Sequence, residues 1–125
     1  MKERQNIASG SPREPILGYS RAVRVGDLVF VAGTTSGGVG STAAEQAREI
    51  FSRIETALAT AGATLKDVVR TRIFLTDMAD FDAVGEVHGE LFREILPVTS
   101  TIGTTALAAA DLLVEIEVDA VLAAV

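Results

Sequence analysis

The sequence predicts an α+β fold in which a mixed sheet carries two helices on one face. Two observations lead there. Two stretches repeat apolar residues at three- and four-residue steps, and five others are short, β-branched or alternating, in the order β-β-α-β-α-β-β. The 125 residues are 48% apolar and 22% charged, which supplies a core and excludes wholesale disorder.

Residues 1–15 mix charges with Ser9-Gly10-Ser11-Pro12 and show no period, so a loosely held arm is expected before a single domain over 16–125. Ala22, Val23 and Val25, then Gly26-Asp27, then Leu28 to Ala32 read as two strands joined by a tight turn. Gly33 to Ser41 holds four glycines in nine residues and forces a loop, expected to be a mobile surface loop. Its Gly37-Gly38-Val39-Gly40 run precedes a helix, yet no Walker lysine follows and the dinucleotide-binding register is not met.

Thr42 and Glu45 form a T-x-x-E capping box. Ala47, Ile50, Phe51, Ile54, Ala57, Leu58 and Ala61 then make one apolar stripe, and Gly62 closes the helix. Val68 to Thr76 is rich in β-branched residues and reads as a strand. A second helix is expected from Asp80 as N-cap, with Phe81, Val84, Val87, His88, Leu91, Phe92 and Ile95 facing inward, ended by Pro97. Thr99 to Thr105 reads as a strand. In Leu112 to Leu122, Glu115, Glu117 and Asp119 share one face opposite Val114, Ile116 and Val118. The sheet face without helices must be covered, and symmetric sheet-to-sheet association between copies is the expected solution.

Composition excludes several functions. With no cysteine, disulfide, thiolate and Cys-zinc chemistry are absent, and one histidine cannot make a metal site by itself. The net charge of −6 and the lack of a basic or aromatic platform argue against nucleic-acid partners, ribonuclease activity included. No stretch is apolar enough to span a membrane, and no apolar run follows the charged start, so a cytoplasmic location is expected.

His88 reads as a core-edge imidazole and as a candidate for the edge of a pocket. Arg70, Arg72 and Phe74 share one strand face, and the acidic face of the last strand is their natural complement. Arg72 is then either an ion-pair partner or a clamp for a ligand carboxylate.

The ordered set Gly18-Tyr19-Ser20, Val29 to Thr34, Ala47 to Gly62, Val69-Arg70-Thr71, Phe74 to Met78, Asp80-Phe81, Pro97 to Ser100 and Leu113 to Glu117 resembles the RidA/YjgF family, also called endoribonuclease L-PSP-like. The resemblance runs from about Gly18 to Ala123. It implies a chorismate-mutase-like fold assembled as a barrel-like homotrimer, with pockets at the subunit interfaces. It implies cofactor-free and metal-free hydrolysis of reactive enamines or imines to 2-oxo acid and ammonia. Residue by residue, Tyr19 matches the tyrosine at the pocket mouth, Gly33 the glycine whose backbone approaches the ligand, and Glu115 the glutamate that handles water. The family's carboxylate-binding arginine in Pro-x-Arg-Ser is replaced, because this chain reads Pro97-Val98-Thr99-Ser100. Its serine before the glycine is Ala32, and its helix asparagine is Gly85. The chain therefore looks like an arginine-lacking subgroup. The expected site is Glu115 as base toward water, with Tyr19, Gly33, Thr34, Arg72 and Thr99 around a small metabolite and Arg21 as a second available cation. The alternative is a trimer that binds a metabolite without turning it over.

Overall fold

The computed structural model describes residues 3–122. The strands are β1 (Arg4–Ile7), β2 (Ala22–Val25), β3 (Leu28–Thr34), β4 (Val68–Leu75), β5 (Val98–Gly103) and β6 (Val114–Val121). The helices are α1 (Arg13–Leu17), α2 (Ala43–Thr60) and α3 (Phe81–Phe92). One six-stranded sheet has the order β1-β2-β3-β6-β4-β5. All pairings are antiparallel except β4 with β5, which α3 connects as a parallel crossover. The seven expected elements are present in the expected order, and the mixed α+β architecture holds.

Period-2 alternation sorts β3, β4 and β6. Val29, Val31, Ile73, Leu75, Val114, Ile116 and Val118 are buried, as are Ile50, Phe51, Ile54 and Leu58 of α2 and Val84, Val87 and Phe92 of α3. Helix packing on one sheet face thus makes the core. On the other face Phe30, Val98 and Ile102 are exposed. Arg72 lies there directly opposite Glu117, and Phe74 opposite Glu115. No helix among the described residues is long and apolar enough to cross a membrane.

The helix signals operate as sequence physics dictates, with one exception. Thr42 accepts from the Glu45 N–H, and the Glu45 side chain accepts in return from the Thr42 N–H, completing the capping box. Gly62 follows with φ of 83°, a left-handed conformation that costs glycine little. Asp80, expected as the N-cap of α3, makes no side-chain cap bond. A 3₁₀ turn at Met78–Asp80 precedes the helix, and Asp77 caps that turn by accepting from the Ala79 N–H at 2.9 Å. The inward face of α3 also differs at its start, since Phe81 is exposed.

Two segments differ more. Residues 4–7, expected within a loose arm, form an edge strand paired with β2, and α1 follows within the same segment. Only Ile7 of β1 is buried, so the strand left no apolar period to read. The glycine loop is anchored at both ends: Ser36 is fully buried, and the Gln46 amide donates to the carbonyls of Gly40 at 3.2 Å and Asp111 at 2.9 Å. Gln46 Oε1 in turn accepts from the Leu113 N–H at 2.9 Å, so one buried amide ties the loop to the approach of β6.

Candidate functional site

A cleft of about 900 Å³ opens beside β3 and β6. Tyr19, Arg21, Gly33, Thr34 and Glu115 line it on the sheet side, and Arg53 of α2 lines the far side. Period-2 alternation turns Glu115 away from the core, and β3 passes it at Gly33. A Cβ on Gly33 would land on the Glu115 carboxylate, with Cδ only 3.0 Å away. Gly33 is therefore required by proximity, and the absence of a side chain leaves the carboxylate seated against backbone.

Arg21 organises this wall. Its guanidinium donates to the Gly33 carbonyl at 2.8 Å, to Thr34 Oγ1 at 3.0 Å and to the Tyr19 hydroxyl at 3.3 Å. Its Nε lies 3.7 Å from the buried carboxylate of Glu14. Glu14 accepts from both the N–H and the hydroxyl of Ser9. Burial would raise the Glu14 carboxyl, but the Ser9 hydrogen bonds and the Arg21 charge outweigh it and hold the group below its ordinary value. A chain of polar contacts thus runs from Ser9 through Glu14 and Arg21 to the backbone beneath Glu115.

Glu115 itself is pushed the other way. Burial raises its carboxyl above the ordinary value, the Glu117 charge adds to this, and Arg21 opposes it. A half-buried carboxyl with a raised proton affinity, next to open cleft volume, suits proton exchange with a bound water.

Of the other expected site residues, Thr34 shares this cleft and Arg72, Thr99 and His88 do not. Thr34 lines the cleft, but it is buried, donates its hydroxyl to the Ala32 carbonyl at 2.8 Å and accepts from Arg21, so it braces the wall. Arg72 sits in a second, smaller cleft of about 470 Å³ that shares Tyr19. There it pairs with Glu117 at 3.0 Å and Asp119 at 3.4 Å, the strand-face complement read from the alternation. Thr99 and His88 line neither cleft. They meet beneath the sheet edge, where Thr71 Oγ1 lies 2.9 Å from His88 Nε2 and donates to Thr99 Oγ1 at 2.7 Å. His88 packs against Phe92 with ring centroids 4.6 Å apart, and burial holds its proton affinity below the usual imidazole value.

Three participants escaped the sequence reading: Glu14, Arg53 and Ser9. No local pattern marks Glu14 as buried, since its partners come from either side of a glycine-proline segment. Arg53 lies on the exposed side of α2, held by Glu49 at 2.7 Å. Among the described residues, no group of three or more His, Asp or Glu side chains could hold a metal ion.

Comparison with known proteins places this geometry. Residues 10–122 match the family model described as endoribonuclease L-PSP. A crystal structure of a member of the YjgF/YER057c/UK114 family from Mycobacterium tuberculosis is 56% identical, with a TM-score of 0.92 over 96% of this chain and 100% of that one. A RutC family protein of Pyrococcus abyssi is 36% identical over 83% of this chain and 86% of its own. A 2-iminobutanoate/2-iminopropanoate deaminase of Dermatophagoides farinae is 30% identical over 86% of this chain and 88% of its own. With its six-stranded sheet and helices superposing on such structures and its sequence matched nearly end to end, the chain belongs to the RidA/YjgF family.

Proposed function

We propose that this protein is a cofactor-free hydrolytic deaminase of reactive enamine or imine intermediates, or of a related small metabolite, working in the cleft around Glu115. The observation that carries the reading is Glu115: a carboxyl with raised proton affinity, seated on the Gly33 backbone and facing open volume. The deaminase name of one relative supports the reaction class.

In this reading the enamine first tautomerises to the imine. Glu115 takes a proton from water as the water oxygen bonds to the imine carbon. That proton passes to the nitrogen to give a carbinolamine; Glu115 then takes the hydroxyl proton and returns it to the nitrogen, so that the C–N bond breaks, ammonia leaves and the carbonyl forms. Tyr19 sits at the mouth, Gly33 supplies backbone, and Thr34 and Arg21 hold that backbone in place. Homotrimer formation, which the family resemblance implies, would use the exposed sheet face. The exposed Phe30, Val98 and Ile102 on that face support such an assembly. Arg72, paired within its own strand face, contributes to that surface more than to substrate binding.

A second reading has a specific motive. Threonine at position 99 cannot reproduce a bidentate arginine–carboxylate contact, so the trimer could bind a metabolite without turnover. Ammonia release from freshly generated 2-aminoacrylate separates the two. A rate above the uncatalysed one is expected for the deaminase. A rate equal to it, with calorimetry showing that small 2-oxo acids bind unchanged, establishes the binding module.

A further inference from the structure

The cleft beside Glu115 inverts the charge balance of the chain. The protein has 17 acidic against 11 basic side chains, yet Arg13, Arg21 and Arg53 line the cleft against Asp111 and Glu115. The three arginines are not equivalent. Arg21 is taken up in the wall by Gly33, Thr34, Tyr19 and Glu14. Arg53 is tethered through Nε to Glu49 at 2.7 Å and through Nη1 to the Thr35 carbonyl at 3.5 Å, and its Nη2 has no protein partner among the described residues. The Arg13 guanidinium likewise has none among the described residues; its backbone N–H alone is bonded, to Ser11 Oγ at 3.4 Å.

Gly37 sets where the Arg53 guanidinium lies. Its φ is 65°, and a Cβ there would stand 3.0 Å from Nη1 and 3.2 Å from Nη2. The glycine run that meets no nucleotide-binding register thus has a use: its bare backbone seats a cation, as Gly33 seats the Glu115 carboxylate four residues earlier. Arg53 pairs with Glu49 and not with Glu115, so base and cation stay separate while facing one open volume. That volume, about 900 Å³, is near the top of the range of about 300–1,000 Å³ for ligand pockets. A four-carbon imino acid, with its carboxylate bonded to the reacting carbon, would leave most of it to water. Ala57, Ala109 and Leu112 also line the cleft and offer apolar surface to a methylene spacer.

We propose that Arg53, supported by Arg13, is the anion subsite of this cleft, and that its ligand is an oxo or imino acid whose carboxylate lies several bonds from the reacting carbon. A guanidinium fork matches a carboxylate edge to edge. With Glu49 already on Arg53 and Asp111 in the lining, one negative charge is balanced better than two, which favours a carboxylate over a phosphate ester. This rests on the preceding reading that the reaction takes place at Glu115.

Calorimetry of the intact protein with 5-oxohexanoate, 5-oxohexanamide and 2-oxobutanoate tests it. The first is expected to bind about tenfold tighter than either of the others, the worth of one charged hydrogen-bonded contact at a partly exposed site. Arg53→Ala should erase the preference for acid over amide, Arg53→Lys should keep part of it because the charge stays and the fork is lost, and Arg13→Ala should reduce it. Glu115→Gln should keep it while stopping ammonia release. Amide bound as tightly as acid, or a preference that survives Arg53→Ala, overturns the subsite; 2-oxobutanoate bound as tightly as 5-oxohexanoate overturns the remote carboxylate. If none of the three binds, the inference falls as well. In each of these cases ammonia release from 2-aminoacrylate above the uncatalysed rate leaves the deaminase reading standing. The full acid preference without any ammonia release removes the deaminase reading and leaves the anion subsite.

Discussion

Replacing Arg21 by alanine should be the most damaging single change at the wall of the cleft. The side chain is 13% exposed and Glu14 is 6% exposed, so solvent screens their contact little. The substitution removes three hydrogen bonds from a charged donor and leaves a buried carboxylate without its cation. Breaking one half of a buried pair costs about 3–5 kcal/mol. The upper part of that range is tempered here, because Ser9 continues to donate twice to Glu14. For a domain of this size each kcal/mol lowers Tm by about 3–4 °C, so a fall of roughly 10–15 °C is expected at pH 7. Thermal and denaturant unfolding at fixed protein concentration measure it. Glu14→Gln added to Arg21→Ala should recover part of the loss, since the unpaired charge disappears. A loss below about 1 kcal/mol for Arg21→Ala, or no recovery in the double variant, would refute the view that this line of contacts supports the site.

Gly33→Ala should separate stability from function. Adding Cβ reduces the freedom of the unfolded chain by about 0.4–1 kcal/mol, while the displaced Glu115 rotamer costs about 0.5–1.5 kcal/mol, so Tm should hardly move. Ammonia release should fall by about 100-fold, as expected for a misplaced catalytic group; unchanged rates would show that Glu115 is not the working base. Thr42→Ala should cost about 1 kcal/mol, read from denaturant midpoints, by removing one half of the capping box. Glu115→Gln should stabilise the fold above acidic pH. A carboxyl raised by folding is favoured while protonated and loses that advantage as pH rises from its unfolded value of about 4.3 through the raised one. The gain over the native chain should therefore grow through that window and be complete above it, and equal stability at every pH would contradict the burial of the charge.

Long-range partnerships were legible where period and charge coincided. Alternation placed Arg72 opposite an acidic strand face, and the pair with Glu117 follows from strand register. Capping chemistry located α2 because Thr42 and Glu45 act within one turn. Glu14 was illegible for the opposite reason: its burial depends on Ser9 and Arg21 reaching it from two separate backbone turns, and no periodicity encodes that. Strand β1 hid because three of its four residues face solvent, so its pairing is carried by backbone hydrogen bonds that any residues could supply. Thr99 was expected beside Glu115 from family resemblance alone. Within one chain the register of β5 on β4 instead sends its side chain toward Thr71.

The central position of β6 has a consequence for how the chain reaches this state. β1, β2 and β3 form one ribbon and β4 with β5 another, and only β6, last of the strands in chain order, joins them. On the ribosome both ribbons would emerge with an unpaired edge, unable to join until the final strand arrives between them. Its pairing with β3 links Leu28 to Val121, a separation that makes the closing step entropically slow. The nascent chain is therefore most open to misassociation during the interval before β6 is free to insert. A substitution in β6 that weakens its pairing should lengthen that interval and lower soluble yield even when the finished fold remains stable.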